Sequence, residues 1–278
     1  MINYNSLVKK WAEELDLYDS QEAQNLVEWL LEHHLGLRRV DMMHFLDEKD
    51  LPQVLLDDFE RLKKGEPIQQ ILGKGPFYGR EFLVNKDTLI PRNETEELVH
   101  LIIKENPQAG LRILDIGTGT ACIPITLSLE MKQPTVYATD ISYEALEMGK
   151  RNAELLHAMV QFFQSDILND KLPVDQLDIL VSNPPYIPTK EKSQMHKNVV
   201  DYEPELALFV PDEDPLLFYR IIAEAGKSVL KAGGRIYFEI HENFGKAVKD
   251  LLLKLKYSGV EVIQDLNGKD RFVKAFLP

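Results

Sequence analysis

From Arg112 onward, short apolar runs and helical patterns take turns, and that alternation leaves few architectures open. Strand-like runs at 112–116, 135–139, 160–164, 177–181, 235–240 and 260–264 alternate with helical patterns at 123–130, 142–156, 215–230 and 243–255. A chain patterned in this way is expected to fold as a doubly wound α/β domain, a mostly parallel sheet covered by helices on both faces. A last run, 271–276, follows 260–264 through only the polar turn Asn267-Gly268-Lys269-Asp270. That connection is too short for a right-handed crossover, so the two strands must pair antiparallel.

The first quarter has a different texture. Leu7, Trp11 and Leu15 fall four apart, Val27, Leu30 and Leu31 form a second stripe, and Leu55, Phe59 and Leu62 a third. Turn and cap signals at Asp19-Ser20, Gly36 and Asp50-Leu51-Pro52 separate these short helices. Residues 1–72 are thus expected to form a small helical bundle; they carry 8 Lys/Arg against 15 Asp/Glu. This acidic excess is either a solvated face or a docking surface for a basic partner. Between Gly65 and Pro91, Gly and Pro punctuate short extended runs, which suggests a hairpin-like linker, assigned to 73–91, rather than another helix. The α/β domain is assigned to 92–278 and opens with a helix at 95–104, which Asn93 or Thr95 would cap while Glu94, Glu96 and Glu97 complement its dipole.

Composition narrows the setting. With 278 residues, 44% of them hydrophobic, the chain can bury a sizeable core without disulfides, and its lone Cys122 has no partner. The N-terminus has no apolar signal core and no uncharged run is long enough to span a bilayer, so a cytoplasmic protein without a membrane role is expected. A net charge of -13 repels a polyanion and disfavours broad nucleic-acid binding.

In a doubly wound sheet, ligands sit at the carboxyl ends of the strands. The first end reads Leu114-Asp115-Ile116-Gly117-Thr118-Gly119-Thr120-Ala121-Cys122. Glycines there let the backbone turn sharply and approach a ligand closely, and the helix that follows offers free amides. The nicotinamide fingerprint would need glycine where Cys122 stands, which counts against a dehydrogenase. The second end is Asp140, a carboxylate able to accept both hydroxyls of a ribose. At the third, Asp166 can accept the exocyclic amine of adenine while Ile167 packs on the ring; each aspartate taken alone is equally a helix cap or turn former. The fourth end is Asn183-Pro184-Pro185-Tyr186. Asn183 offers a side-chain carbonyl, Pro184 a backbone carbonyl with no N–H, and Tyr186 a flat ring with a polar tip. Two acceptors and one ring suit a planar NH₂ group.

Together these residues resemble S-adenosylmethionine-dependent methyltransferases that act on planar amide or exocyclic amine nitrogens. The likeness to one branch, the HemK/PrmC family of release factor glutamine methyltransferases, runs over nearly the whole chain. It includes the helical leader, Gly65-Glu66-Pro67 with Gly73, Phe77-Tyr78-Gly79 with Phe82, and Leu89-Ile90-Pro91-Arg92 with Glu94-Thr95-Glu96. Further along come Tyr202-Glu203-Pro204 before Ala207-Leu208, Gly233-Gly234 with Glu239-Ile240, and Asp270-Arg271. The resemblance implies a Rossmann-like class I methyltransferase domain with S-adenosylmethionine as cofactor and no metal. It also implies a peptide chain release factor as partner, methylated on the amide nitrogen of the glutamine in its Gly-Gly-Gln motif, with no nucleic acid required and the enzyme acting as a monomer. Gly117, Thr118, Gly119, Thr120 and Ala121 would line the methionine portion, Asp140 the ribose, and Asp166 with Ile167 the adenine. Asn183, Pro184, Pro185 and Tyr186 would hold the substrate amide, with Asn183 also beside the cofactor.

The chain departs from the family pattern at Asn93, Ala121, Phe209, Val210, Glu213-Asp214-Pro215 and His241. None of these falls on Asn183–Tyr186 or on Asp140. Two other functions remain to be weighed: an adenine exocyclic-amine methyltransferase acting on DNA or RNA, which would need a basic face or an added recognition domain, and a noncatalytic binding module that keeps the fold.

Overall fold

Asp19 and Gly36 show how the first quarter becomes helical. After α1 (Tyr4–Ala12), the Asp19 carboxylate accepts from the backbone N–H of Gln21 and of Glu22, both at 2.9 Å, and starts α2 (Ser20–Leu35). Gly36 ends that helix at φ +66°, a conformation that suits a residue without Cβ. The computed structural model describes residues 1–38, 40 and 45–278, so residues 39 and 41–44 of the expected bundle lie outside the described residues. The chain divides into two units, Met1–Lys74 with His196–Tyr202, and Gly75–Met195 with Glu203–Pro278.

The first unit adds α3 (Gln53–Lys63) and α4 (Ile68–Leu72). Leu7, Trp11, Leu15, Val27, Leu30, Leu31, Leu55, Phe59 and Leu62 all enter its core, and the Trp11 and Phe59 rings stack at 4.2 Å. Helix α4 corrects the expectation that no helix follows Gly65. Pro67 presets the chain just before it, Gly73 at φ +68° ends it, and burial of Ile68 and Ile71 holds it against the other helices. The segment His196–Tyr202, read from sequence as part of the C-terminal domain, groups with this unit instead. Gln70 Nε2 donates to the Tyr202 carbonyl at 2.9 Å, and the Tyr202 hydroxyl donates to the Lys64 carbonyl at 3.3 Å.

Past Gly73 a two-stranded pair, β1 (Lys74–Phe77) and β2 (Arg80–Leu83), turns through Tyr78 and Gly79, both at positive φ. Helix α5 (Asn93–Glu105) then leads into β3 (Arg112–Ile116), α6 (Cys122–Glu130), β4 (Thr135–Asp140), α7 (Tyr143–Leu155), β5 (Val160–Gln164) and β6 (Leu177–Ser182). After α8 (Leu217–Val229) come β7 (Leu230–Glu239), α9 (Gly245–Lys254), β8 (Ser258–Gln264) and β9 (Asp270–Phe276).

The seven-stranded sheet has the order β8-β9-β7-β6-β3-β4-β5. Strands β5, β4, β3, β6 and β7 run parallel, whereas β9 inserts between β7 and β8 and is antiparallel to both. Alternation along each strand feeds two cores. Leu114, Leu180 and Phe238 face one layer with Ile222 and Val248, and Ile113, Ile179 and Val181 face the other with Leu98, Val99 and Ile125. This is the expected doubly wound α/β architecture. Among the described residues no helix is long and apolar enough to cross a membrane.

One helix position is closed to a side chain. A Cβ on Gly149 of α7 would lie 2.9 Å from the Phe162 ring and 3.0 Å from the Ala121 methyl. Overpacking of this kind costs about 1–3 kcal/mol, against a helix-propensity gain of about 1 kcal/mol. Gly149→Ala is therefore expected to lower the melting temperature; an unchanged value in a thermal melt would mean that Phe162 gives way.

Candidate active site

The parallel strands leave a crevice where their order reverses, between β3 and β6. A cavity of about 400 Å³ occupies it, lined by Gly117 and Gly119 after β3, Asp140 at the end of β4, Asp166 and Ile167 after β5, and Asn183 with Pro184 and Pro185 after β6. All four strand ends singled out in the sequence meet here.

The turn after β3 is built from alternating left-handed residues, Gly117 at φ +74°, Gly119 at φ +53° and Ala121 at φ +62°. The N–H groups of Gly117 and Thr118 both donate to the Thr139 carbonyl of β4, at 2.9 and 3.0 Å. Asp140 completes the stitch, since its Oδ2 accepts from Gly119 N–H at 2.9 Å and its Oδ1 from Ser142 N–H at 3.0 Å. Burial pushes its carboxyl above the usual carboxylate range, and the N–H donors of Gly119, Ser142 and Ile141 pull it back. Two oxygens carry roughly four lone-pair sites, so Asp140 retains acceptor capacity toward the cavity.

Not every residue of that turn reaches the cavity. Gly117 and Gly119 line it, but Thr118, Thr120 and Ala121 do not. All three are buried, with the Ala121 methyl packed in the core facing Gly149. Asp166 lines the cavity while its carboxylate closes its own loop, accepting from Leu168 N–H at 2.9 Å and from Asn169 Nδ2 at 2.7 Å.

At the fourth strand end, Asn183 Nδ2 donates to Thr95 Oγ1 at 3.2 Å, and among the described residues its Oδ1 accepts no hydrogen bond. Tyr186, expected beside the substrate, does not line the cavity. Its hydroxyl donates instead to Glu239 Oε1 at 3.2 Å, and its ring meets the edge of His241 at 6.1 Å. A buried carboxylate attracts the nearest hydroxyl, and this one turns the phenol inward.

Four residues take roles that spacing along the chain does not reveal. Thr95 is not a helix cap: no side chain caps α5, and its hydroxyl donates to Glu239 Oε2 at 2.6 Å. Glu239, at the end of β7, is buried. Asp115 is buried in β3 with both oxygens unbonded, and the Thr118 hydroxyl lies near it without forming a hydrogen bond of normal geometry. Burial pushes the Asp115 carboxyl up to about 7, helped by the Asp140 charge and opposed by Thr118. The available signal was an acidic residue inside an otherwise apolar strand. Arg92, Glu94 and Glu96 stay outside the cavity, and Glu96 accepts from Tyr78 N–H at 2.9 Å.

The fourth, Glu203, fastens one wall. Its buried carboxylate accepts from Ile90 N–H at 3.0 Å and pairs with Arg92, tying Leu89 to the stretch holding Pro204, Leu206 and Ala207, all of which line the cavity. Glu203→Ala leaves Ile90 N–H unpaired and is expected to cost about 1–3 kcal/mol, seen as a lower denaturation midpoint. Two departures from the family pattern are absorbed locally. Phe209–Val210 pairs in parallel with Ile187–Pro188, and His241 Nε2 lies 3.1 Å from Glu191 Oε2.

Comparison with known proteins agrees with this geometry. Residues 94–202 match the family model for the methyltransferase small domain, and residues 6–73 match that for the PrmC N-terminal domain. The release factor glutamine methyltransferase of Bacteroides thetaiotaomicron is 44% identical over 268 residues, spanning 94% of this chain and 95% of that protein. That of Flavobacterium psychrophilum is 42% identical over 266 residues, spanning 93% of each. Among solved structures, a methyltransferase from Pyrococcus furiosus superposes with a TM-score of 0.53 at 18% identity, over 79% of this chain and 98% of that one, which establishes the fold. Identity of this order over nearly the full length of both chains, with a matching helical leader, makes this chain a member of the release factor glutamine methyltransferase family.

Proposed function

We propose that this protein methylates the side-chain amide nitrogen of the glutamine in the Gly-Gly-Gln motif of peptide chain release factors, using S-adenosylmethionine. The observation that carries the reading is the meeting of Asn183 and Pro184 with Gly117, Gly119 and Asp140 around one cavity at the switch point of the sheet. Its volume and acidic lining suit an adenosine bearing a cationic side chain. The cofactor supplies an electrophilic methyl group on a sulfonium, which the substrate nitrogen takes as the carbon–sulfur bond breaks and S-adenosylhomocysteine leaves.

Asp140 would hold the ribose and Ile167 the adenine face. Asp166 would offer the adenine amine whichever lone pairs its own loop leaves. Gly117 and Gly119 permit close approach of the methionine portion, and the carboxylate of Asp115, buried behind the cavity wall, would add negative charge to the site when ionised. An amide nitrogen is a poor nucleophile because its lone pair is delocalised into the carbonyl. Asn183 Oδ1 and the Pro184 carbonyl would each accept one N–H of the substrate, aim the nitrogen at the methyl carbon and stabilise the positive charge that grows on it. These contacts strengthen toward the transition state and so raise the rate rather than merely hold substrate. The methylated nitrogen then gives up its proton to solvent. No general base is required.

The acidic helical unit is read as the surface that docks a basic face of the release factor. The enzyme is read as a cytoplasmic monomer that needs no nucleic acid. Incubation with S-adenosylmethionine and either a release factor or adenine-containing DNA, followed by mass spectrometry to locate added methyl, tests the reading. Methylglutamine in the release factor is expected; methyladenine with an untouched release factor would reject it.

A further inference from the structure

Three elements converge behind Asn183. Thr95 comes from the first turn of α5, Glu239 from the end of β7, and Asn183 from the end of β6. Their polar atoms form one chain: Asn183 Nδ2 to Thr95 Oγ1 at 3.2 Å, then Thr95 Oγ1 to Glu239 Oε2 at 2.6 Å. Tyr186 closes the far end by donating to Glu239 Oε1 at 3.2 Å. Thr95 and Glu239 are both buried, and neither lines the cavity.

The direction of these bonds matters more than their number. A threonine hydroxyl has a single hydrogen, and a carboxylate can only accept. Once that hydrogen points at Glu239, the oxygen of Thr95 has only lone pairs left for Asn183. An asparagine amide facing an acceptor must present its NH₂ group. Its carbonyl oxygen is therefore left on the opposite side.

We propose that Glu239 and Thr95 are positioning residues that set the polarity of the Asn183 amide, so that its oxygen rather than its nitrogen is offered to the substrate NH₂ in the cavity. This rests on the assignment of Asn183 as substrate acceptor. With the amide turned over, two NH₂ groups would oppose each other and the hydrogen bond that aims the nucleophile would be lost. Burial pushes the Glu239 carboxyl above its ordinary range, while the Thr95 hydroxyl, the Arg271 charge and the Tyr186 hydroxyl pull it back. In its ionised form this carboxylate accepts from both hydroxyls. The arrangement also explains why Tyr186 turns away from the cavity: it steadies the carboxylate on which the relay depends.

Thr95→Val keeps the shape and removes the hydroxyl, Thr95→Ser keeps the hydroxyl, and Glu239→Gln keeps the shape while adding a competing donor. Thr95→Val is expected to lower kcat on a release factor by about 10²-fold, with S-adenosylmethionine affinity and release factor KM close to those of the unaltered enzyme. Thr95→Ser should recover most of the rate, and Glu239→Gln should resemble Thr95→Val. In an Asn183→Ala background, Thr95→Val should cause no further loss. Cofactor titration and a thermal melt identify any variant that fails to fold, and Glu239→Gln then replaces Thr95→Val in the comparison. Unreduced kcat in folded Thr95→Val or Glu239→Gln, beside an inactive Asn183→Ala enzyme, would overturn the relay and leave the substrate assignment standing. An active Asn183→Ala enzyme would overturn both.

Discussion

Asn183→Ala is expected to lower methyl transfer to a release factor by about 10²- to 10³-fold, the effect of removing one preorganised polar contact to a developing charge. Cofactor binding should largely survive. The expectation follows from where contacts are made. Asn183 is proposed to meet the substrate through one side-chain oxygen, whereas Asp140, Gly117, Gly119 and Ile167 line the cavity independently of it. Loss of that oxygen leaves one substrate N–H without an acceptor and frees the nitrogen to turn away from the methyl carbon. Single-turnover kinetics with saturating cofactor, together with calorimetric titration of S-adenosylmethionine, separate the two effects. Turnover at the unaltered rate would remove Asn183 from the mechanism.

Asp115→Asn is expected to stabilise the ligand-free protein near pH 8 and to weaken the cofactor. The carboxyl is pushed up to about 7 by burial, while an unfolded chain releases that proton near 4. Between those values the folded state holds a proton that the unfolded state has lost. Stability from this group therefore falls as pH rises from about 4 to 7 and is fully lost above. Asparagine cannot ionise, so the variant should melt about 4 °C or more above the parent at pH 8 and show less dependence on pH. The cofactor acts in the opposite sense. A cation in the cavity, which Ile116 and Gly117 line next along the strand, favours the ionised carboxylate of the buried Asp115, so binding below about pH 7 should release protons and weaken as pH falls. Both effects should shrink in Asp115→Asn. Melting curves with and without S-adenosylmethionine, and titrations in buffers of different ionisation enthalpy, measure them. A variant that binds as tightly as its parent with the same pH dependence would dismiss the charge from cofactor binding.

The relay behind Asn183 and the charge of Asp115 were the least legible parts of the site. Thr95 looked like a helix cap because threonine near the start of a helix usually serves its own backbone. In the fold its nearest strong acceptor is Glu239, 144 residues away in sequence, and the hydroxyl turns there. Tyr186 lies off the cavity wall for the same reason, drawn inward by the other oxygen of that carboxylate. The resemblance places Thr118, Thr120 and Ala121 with Gly117 and Gly119 along the cofactor, whereas the fold buries all three and leaves only the two glycines on the cavity wall.

Much else could be read directly. Strand and helix type from Arg112 onward follows from spacing, because side chains repeat every second residue in a strand and about every 3.6 in a helix. The four strand ends that line the cavity follow from the same pattern, since a parallel sheet brings all its carboxyl ends to one edge. The short link 265–269 required β8 and β9 to be antiparallel, yet only the fold decided that β9 lies between β7 and β8. Local order along the chain thus determined the elements and the edge on which the chemistry gathers. Which buried donor meets which acceptor was decided by the tertiary structure, because those partners are far apart in the chain and are chosen by where packing leaves a polar atom without water.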